Sequence, residues 1–202
     1  MQIERGVLGV KTLGPGNRFA LWVNACHRRC PGCVSVRLQL PRPGNEQPVE
    51  EFLSGFDFSQ TDGVTVSGGE PFNQPEELLK LVRWFRARGM EDILVYTGFT
   101  LEELRGMGSE TVDEVLRSIA VLIDGPYVRA LDTGEGNLKG SDNQRILIFN
   151  EKFRPAYEAY ERRERNMQEI LLDNVQLAVG IPDAAFIRRF KADEEEEGKN
   201  GE

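Results

Sequence analysis

Short apolar runs separated by glycine, proline and polar residues recur along this chain of 202 residues. Runs of four to eight apolar, β-branched or aromatic residues between such breakers predict buried strands. We expect strands at residues 18–24, 63–67, 93–97, 120–123 and 146–149, and a further one at 175–179.

Helical patterns occupy several of the segments between these strands. Residues 75–88 begin with proline and two glutamates and carry apolar positions three and four residues apart, which predicts an amphipathic helix. Thr100 with Glu103 forms a capping-box signature, and Thr111 with Glu114 repeats it for a helix that ends near residue 118. Shorter or weaker helices are predicted at residues 49–53, 154–168 and 184–190.

The alternation of strands and helices predicts an α/β fold with a mostly parallel sheet, open or curled into a partial barrel. In such folds the functional residues lie in the loops that follow the strands. Cysteines follow the strand predicted at 18–24, and paired glycines follow the strand at 63–67. These two loops are therefore candidates for a shared site.

Composition limits the function classes. Apolar residues make up 40% of the chain and charged residues 29%, and no apolar run approaches the ~20 residues of a membrane helix. The first residues lack the basic and then apolar pattern of a signal peptide, so we expect a cytoplasmic protein without a membrane partner. The length suits a single domain, predicted at residues 1–190.

The charge distribution argues against a nucleic-acid partner. The net charge is −8, whereas phosphate binding requires clustered lysine and arginine. Six acidic residues and one lysine stand among the last ten residues. We therefore interpret residues 191–202 as an acidic, disordered, solvated tail.

All three cysteines lie within eight residues, at Cys26, Cys30 and Cys33. Three thiols so close together cannot form a disulfide framework, and soft sulfur ligands favour zinc or an iron–sulfur cluster. His27 could complete a Cys3His zinc site, whereas a cluster held by three cysteines leaves one iron open. The cysteines alone leave both possibilities open.

A second motif, Ser67-Gly68-Gly69-Glu70-Pro71, stands at the end of the next predicted strand. Together with Cys-x3-Cys-x2-Cys, it resembles the radical S-adenosylmethionine superfamily. Within that superfamily, the sequence is similar to the activating proteins of anaerobic (class III) ribonucleotide reductases. Four further stretches carry this likeness, at residues 14–16, 95–100, 122–127 and 140–145.

The resemblance implies a partial (β/α)6-type barrel, the radical SAM fold, with a [4Fe–4S] cluster on Cys26, Cys30 and Cys33. S-adenosylmethionine (SAM) would chelate the fourth iron, and an electron passed through the cluster would cleave its sulfonium to release a 5′-deoxyadenosyl radical. That radical would install a glycyl radical on a partner enzyme, first of all an anaerobic ribonucleotide reductase. A flavodoxin- or ferredoxin-type protein would donate the electron.

The resemblance also implies which residues contact SAM. The glycine-rich turn would bind the methionine amino group, the residues around the third cysteine would approach the adenine, and two strand-end residues would face the site. The set is Gly68, Gly69 and Glu70, then Gly32, Cys33 and Val34, then Thr97 and Asn143.

The sequence departs from the family pattern at two places. Gly32 and Val34 flank the third cysteine where many members carry an aromatic residue, so adenine stacking there is expected to be weaker or to come from elsewhere. The chain also continues past Phe149, where compact members end. Residues 150–190 are therefore expected to be a C-terminal extension of the same domain.

Several alternatives remain. The chain could be a radical SAM enzyme that modifies a peptide or small molecule, or a zinc-binding interaction module that uses His27. Cys30 and Cys33 could form a redox pair, although a third cysteine is superfluous for that role. Glu70 and Asp124 could serve only as caps at the ends of strands.

Overall fold

The sheet at the centre of this computed structural model has six strands, and the structure describes residues 1–172, 175–183 and 186. The strands are β1 Ile3–Val10, β2 Arg18–Val23, β3 Gly63–Gly68, β4 Ile93–Tyr96, β5 Val121–Asp124 and β6 Arg145–Ile148, in that spatial order. Strands β2 to β5 are parallel, and β1 and β6 pair antiparallel at the two edges. The predicted α/β fold with a mostly parallel sheet is confirmed.

Helices connect the parallel strands on one side of the sheet. They are α1 Val49–Ser54 and α2 Pro75–Arg86, then α3 Leu101–Gly106 and α4 Glu110–Ser118. After β6 come α5 Arg154–Glu161 and an antiparallel hairpin of β7 Met167–Leu172 and β8 Val175–Gly180. None of the helices in the described part of the chain combines the length and the apolar character needed to span a bilayer.

The two faces of the sheet are covered by different parts of the chain. Alternate residues of a strand point to opposite faces. Phe19, Leu21 and Val23 of β2 pack into the core formed with α1 to α4. On the opposite face, Ala20 packs with Val179 of the hairpin, and the inward residues of β4 and β5 pack against α5. The C-terminal extension therefore supplies the second layer of the fold.

A buried ion pair anchors α5 to the sheet. The Arg18 guanidinium is bonded to both carboxylate oxygens of Asp92, and Thr65 Oγ1 accepts from Arg18 Nε at 2.7 Å. Tyr157 of α5 donates from its hydroxyl to Asp92 Oδ1 at 2.6 Å. Because every charged group in this cluster has a partner, the buried charges are tolerated.

The two predicted capping boxes differ in the structure. The capping box is confirmed, since Thr100 Oγ1 accepts from Glu103 N and the Glu103 carboxylate accepts from Thr100 N. The second box, at Thr111, is wrong. There Ser109 caps the helix by accepting from Val112 N, so Thr111 already lies in the first turn.

The C-terminal segment also differs from its prediction. The helix predicted at 154–168 ends at Glu161, and Met167 begins strand β7. The buried stripe of Tyr157 and Tyr160 is correct, but it covers only two turns of helix. The tail at 191–202 lies outside the described residues, as does most of the helix predicted at 184–190.

Candidate functional site

The loop that follows β2 carries the three cysteines and has a constrained backbone. Cys26 N donates to Gln39 O at 2.9 Å, which closes the loop, and Cys33 N donates to Cys30 O at 3.2 Å. Ala25 and Arg29 adopt φ values of 71° and 45°, the only positive φ angles of non-glycine residues in the described chain. Because this conformation costs free energy, such residues often mark functional loops.

The glycine-rich turn after β3 pairs directly with the cysteine loop. Gly69 N donates to Val23 O at 2.6 Å, and Glu70 N donates to Ala25 O at 2.8 Å. A Cβ atom on Gly69 would lie 2.5 Å from Ala25 O, so only glycine allows this approach. Gly68, at φ 111°, could not carry a side chain without overlapping the Val23 backbone. The two motifs are thus parts of one structure.

The Glu70 carboxylate joins the β3 turn to the β4 turn. It is fully buried, Oε1 accepts from Phe72 N and Thr97 Oγ1, and Oε2 accepts from Gly98 N at 2.7 Å. Burial raises the pKa of Glu70, and these hydrogen bonds act in the opposite direction. Glu70 is therefore a strand-end cap. Three of its roughly four acceptor positions are occupied, which leaves one open.

Two further predicted residues stand at neighbouring strand ends. The Thr97 hydroxyl donates a hydrogen bond to Glu70 Oε1 and accepts one from Phe99 N at 3.1 Å. Asn143 donates from Nδ2 to Pro126 O at 2.7 Å, and its Oδ1 is buried without a partner. A buried acceptor without a donor is costly, so Asn143 is suited to accept a hydrogen bond from a ligand.

Asp124 has a structural role at the end of β5. It is buried, its Oδ2 accepts from Leu101 N at 2.8 Å, and both of its oxygens accept from Arg145. The sequence left open whether Asp124 is a functional residue or a cap at the end of the strand. These contacts support the cap.

His27 and Arg28 pack on the β4 turn and were not assigned such a role from sequence. Their side chains lie on Phe99, with the two rings 4.9 Å apart and the guanidinium carbon 4.7 Å from the phenyl centroid. His27 Nδ1 is hydrogen-bonded to Asn73 Oδ1 at 2.8 Å, and Arg28 pairs with Glu103. His27 is thus held by Asn73 and Phe99.

Arg129 is a second residue that the sequence did not single out. A Cβ on Gly32, at φ 80°, would lie 2.5 Å from the Arg129 guanidinium, so this cation rests directly on the Gly32 backbone. Val34 is 70% exposed and points to solvent. The sequence contains no local signal for Arg129, because it lies in the distant loop after β5.

The three thiols are the candidate ligands of the predicted metal centre. All are half-buried, and burial raises the pKa of Cys33, with smaller contributions in the same direction from Cys30 and Cys26. Within the described ranges, no group of three or more His, Cys, Asp or Glu side chains converges on one metal position. In an iron–sulfur cluster, each thiolate binds its own iron. The three thiols fit a cluster held by three cysteines, and the buried Asn143 Oδ1, which has no partner among the described residues, fits a ligand that donates a hydrogen bond.

Comparison with known proteins identifies the family of this chain. A family profile described as "4Fe-4S single cluster domain" matches residues 12–147. The anaerobic ribonucleoside-triphosphate reductase-activating protein of Enterobacteria phage T4 is 35% identical over 139 residues, which cover 66% of this chain and 85% of the relative. The Escherichia coli K12 protein of the same name is 32% identical and is covered over 88% of its length. The chain belongs to this family of activating proteins.

Membership in the family confirms the resemblance inferred from the sequence and supports an iron–sulfur cluster. A more distant relative is the pyruvate formate-lyase-activating enzyme of Staphylococcus aureus USA300, 28% identical over 148 residues, which cover 69% of this chain and 57% of the relative. The family profile ends at residue 147. Helix α5 and the β7–β8 hairpin come after residue 147 and therefore lie outside the matched region.

Proposed function

We propose that this chain holds one [4Fe–4S] cluster on Cys26, Cys30 and Cys33, cleaves SAM reductively, and thereby installs a glycyl radical on a partner enzyme. One observation carries the proposal: the cysteine loop and the Gly68 to Glu70 turn are hydrogen-bonded to each other through Gly69 N and Glu70 N. The membership of the chain in a family of activating proteins supports it.

The residues around the cysteines have distinct parts in this proposal. When bound, the cluster supplies one electron, and SAM supplies the sulfonium whose cleavage gives methionine and a 5′-deoxyadenosyl radical. Gly68 and Gly69 keep the turn free of side chains, and Glu70 has one acceptor position left for the methionine amino group. Asn143 offers its unpaired Oδ1 to a donor of the cofactor.

The remaining assignments concern the adenine side of the cofactor, Thr97 and the fold. Gly32, Cys33 and Val34 are proposed to border the adenine, and Thr97 is proposed to orient Glu70 rather than to bind SAM itself. The six-stranded sheet is proposed to be the partial barrel of the radical SAM fold, within a single domain of residues 1–190.

The charge around the cysteines favours an anionic cluster. Arg28 and Arg29 lie between Cys26 and Cys30 in the cysteine loop, although the whole chain has a net charge of −8 and Arg28 is paired with Glu103. Arg129 adds a guanidinium over Gly32. Positive charge near the thiolates stabilises the deprotonated, metal-binding form of cysteine.

The proposed partner is a glycyl-radical enzyme, and the names of the relatives point to anaerobic ribonucleotide reductase. A flavodoxin- or ferredoxin-type protein is proposed as the electron donor. Hydrogen abstraction from a glycine requires no acid–base pair, so this function asks for none beside the cysteines.

Anaerobic reconstitution tests the proposal. Protein treated with iron and sulfide, then with a reductant and SAM, is expected to take up iron and to form 5′-deoxyadenosine. Zinc in the purified protein, with no iron uptake, would favour the zinc-binding module instead. Iron uptake without 5′-deoxyadenosine would contradict the proposed chemistry.

A further inference from the structure

Arg165 lies between α5 and the hairpin, in the segment that follows the region matched by the family profile. Its side chain is only 3% exposed. Nη1 is 2.9 Å from Asp132 Oδ1, and the guanidinium also donates to backbone oxygens of Gly136 at 3.1 Å and Lys139 at 2.9 Å. A buried arginine with this many acceptors is a strong local constraint, because its planar fork fixes several groups at once.

The segment held by Arg165 has little regular structure of its own. Residues 132–140 form neither helix nor strand, and Gly134 and Gly136 both adopt positive φ angles. The C-terminal extension also supplies the Glu161 carboxylate, whose Oε2 accepts from Asn137 N and Leu138 N. The conformation of the loop thus depends on side chains from the C-terminal extension.

The same loop leads directly to Asn143. Asp142 N donates to Leu131 O at 2.8 Å, and the Gln144 amide oxygen accepts from Gly140 N at 2.8 Å. Residues 140–144 form a tight turn that is also fixed to the loop after β5, since Asn143 Nδ2 donates to Pro126 O and Gln144 Nε2 donates to Gly125 O. Arg165 Nη2 donates to Lys139 O at 2.9 Å and lies 3.5 Å from Gly140 O, so Arg165 holds the residues that lead into this turn.

We propose that Arg165 is a positioning residue for SAM binding: it fixes residues 132–140 and so places Asn143 at the cofactor mouth. This inference rests on the proposed function, because it assigns Asn143 to the cofactor. The C-terminal extension thereby contributes to the proposed cofactor site of this chain. The described contacts of Arg165 involve neither the cysteine loop nor the glycine-rich turn.

The test compares Arg165→Ala, Arg165→Lys and, as a matched control, Arg162→Ala, which removes an exposed arginine paired with Glu158. In cluster-loaded protein, Arg165→Ala is expected to keep its iron, to weaken SAM binding about tenfold in equilibrium dialysis, and to speed amide hydrogen exchange in residues 132–143. Arg165→Lys should recover part of the binding, since it keeps the charge beside Asp132. Arg162→Ala should match the unmodified protein.

Unchanged SAM binding and unchanged exchange in Arg165→Ala would overturn the inference. If that variant fails to fold, Asp132→Asn removes the charge pair with smaller disturbance and should shift both readouts in the same direction. Its failure to shift either one would also overturn the inference. Unmodified protein that loads iron but binds no SAM would instead overturn the proposed function, and the exchange measurement would still report whether Arg165 holds the loop.

Discussion

Single residues of the site divide into those that hold a ligand and those that hold the loops. The cysteines and Asn143 have unused ligand or acceptor groups, whereas Thr97 and Asp124 have theirs occupied by the protein. Glu70 belongs to both classes, since it braces two turns and keeps one acceptor position. Substitutions at these positions should therefore separate cofactor binding from stability.

Cys30→Ala tests the ligand class. The variant is expected to lose the cluster and all 5′-deoxyadenosine formation, because two thiolates cannot replace three. Its circular dichroism spectrum should match that of the unmodified protein, since Cys30 lies in a loop outside the cores. Val36→Ala, at a 60% exposed position in the same loop, is the control and should retain iron. Full iron content in Cys30→Ala would contradict the ligand assignment.

Glu70→Gln tests the bracing class in cluster-free protein. The amide NH2 of glutamine would face Gly98 N or Phe72 N, both of which are donors, so we expect a loss of about 1–3 kcal/mol in the free energy of unfolding. Urea unfolding of the two proteins measures this loss of stability. A stability equal to that of the unmodified protein would refute the bracing role.

The difference in unfolding free energy between the unmodified protein and Glu70→Gln should depend on pH. Burial raises the folded-state pKa of Glu70 above its ordinary value, so the folded state holds this proton more tightly than the unfolded state. The stability from this group is complete below the unfolded pKa and declines as pH rises through the folded pKa. The advantage of the unmodified protein over Glu70→Gln should therefore shrink as the pH rises above 4.5, the ordinary pKa of this carboxyl group. An advantage that grows over this range would contradict the raised pKa.

Among the elements, the decisive feature is that β2 and β3 continue to pair after both strands end. The hydrogen bonds from Gly69 N and Glu70 N extend the parallel pairing into the two loops. The site is thus fixed by backbone bonds. This explains why the glycines are adjacent to the strand and not farther along the loop.

Gly69→Ala tests this pairing. The new Cβ would lie 2.5 Å from Ala25 O, so we expect a loss of about 1–3 kcal/mol in unfolding free energy and a lower iron content after reconstitution. Gly106→Ala is the matched control, because no atom lies within 4 Å of its added Cβ and it ends helix α3. It should lose no stability. Equal behaviour of the two variants would show that the loops do not depend on this contact.

Local patterns were sufficient for most elements and insufficient for a few. Strands β2 to β5 are continuous, largely buried and largely apolar runs, and helix α2 is strongly amphipathic. The apolar pattern within each of these segments was therefore enough to predict it. Strand β1 was missed because Gly6 and Gly9 interrupt its apolar run, and the space for Gly6 is set by Phe19 of the neighbouring strand. Pairing between strands decides such cases, and a single segment does not encode it.

The candidate site shows the same limit. The cysteines and the glycine-rich turn could be predicted from sequence, because their spacing is local. The contacts of Arg129 with Gly32 and of Arg165 with Asp132 join segments that are distant in the sequence, so no local motif predicts them. The bracing role of Glu70 likewise required the position of the β4 turn.

At the scale of the whole molecule, the two faces of the sheet have different origins. Helices α1 to α4 on one face lie within the region shared with the family, whereas α5 and the β7–β8 hairpin on the other follow it. The extension is fastened through Tyr157 to Asp92 and through Arg165 to the loop before Asn143. It therefore links the sheet's second layer to the loop that leads to Asn143.

The most direct test of the central claim is electron paramagnetic resonance of a mixture. Reconstituted protein, a reductant, SAM and an anaerobic ribonucleotide reductase are combined without oxygen, and the spectrum of the reductase is recorded. The account predicts the doublet of a glycyl radical, which disappears when Cys30→Ala replaces the unmodified protein. Formation of 5′-deoxyadenosine with no glycyl signal would contradict the claim that this reductase is the partner and would favour a radical SAM enzyme acting on another substrate.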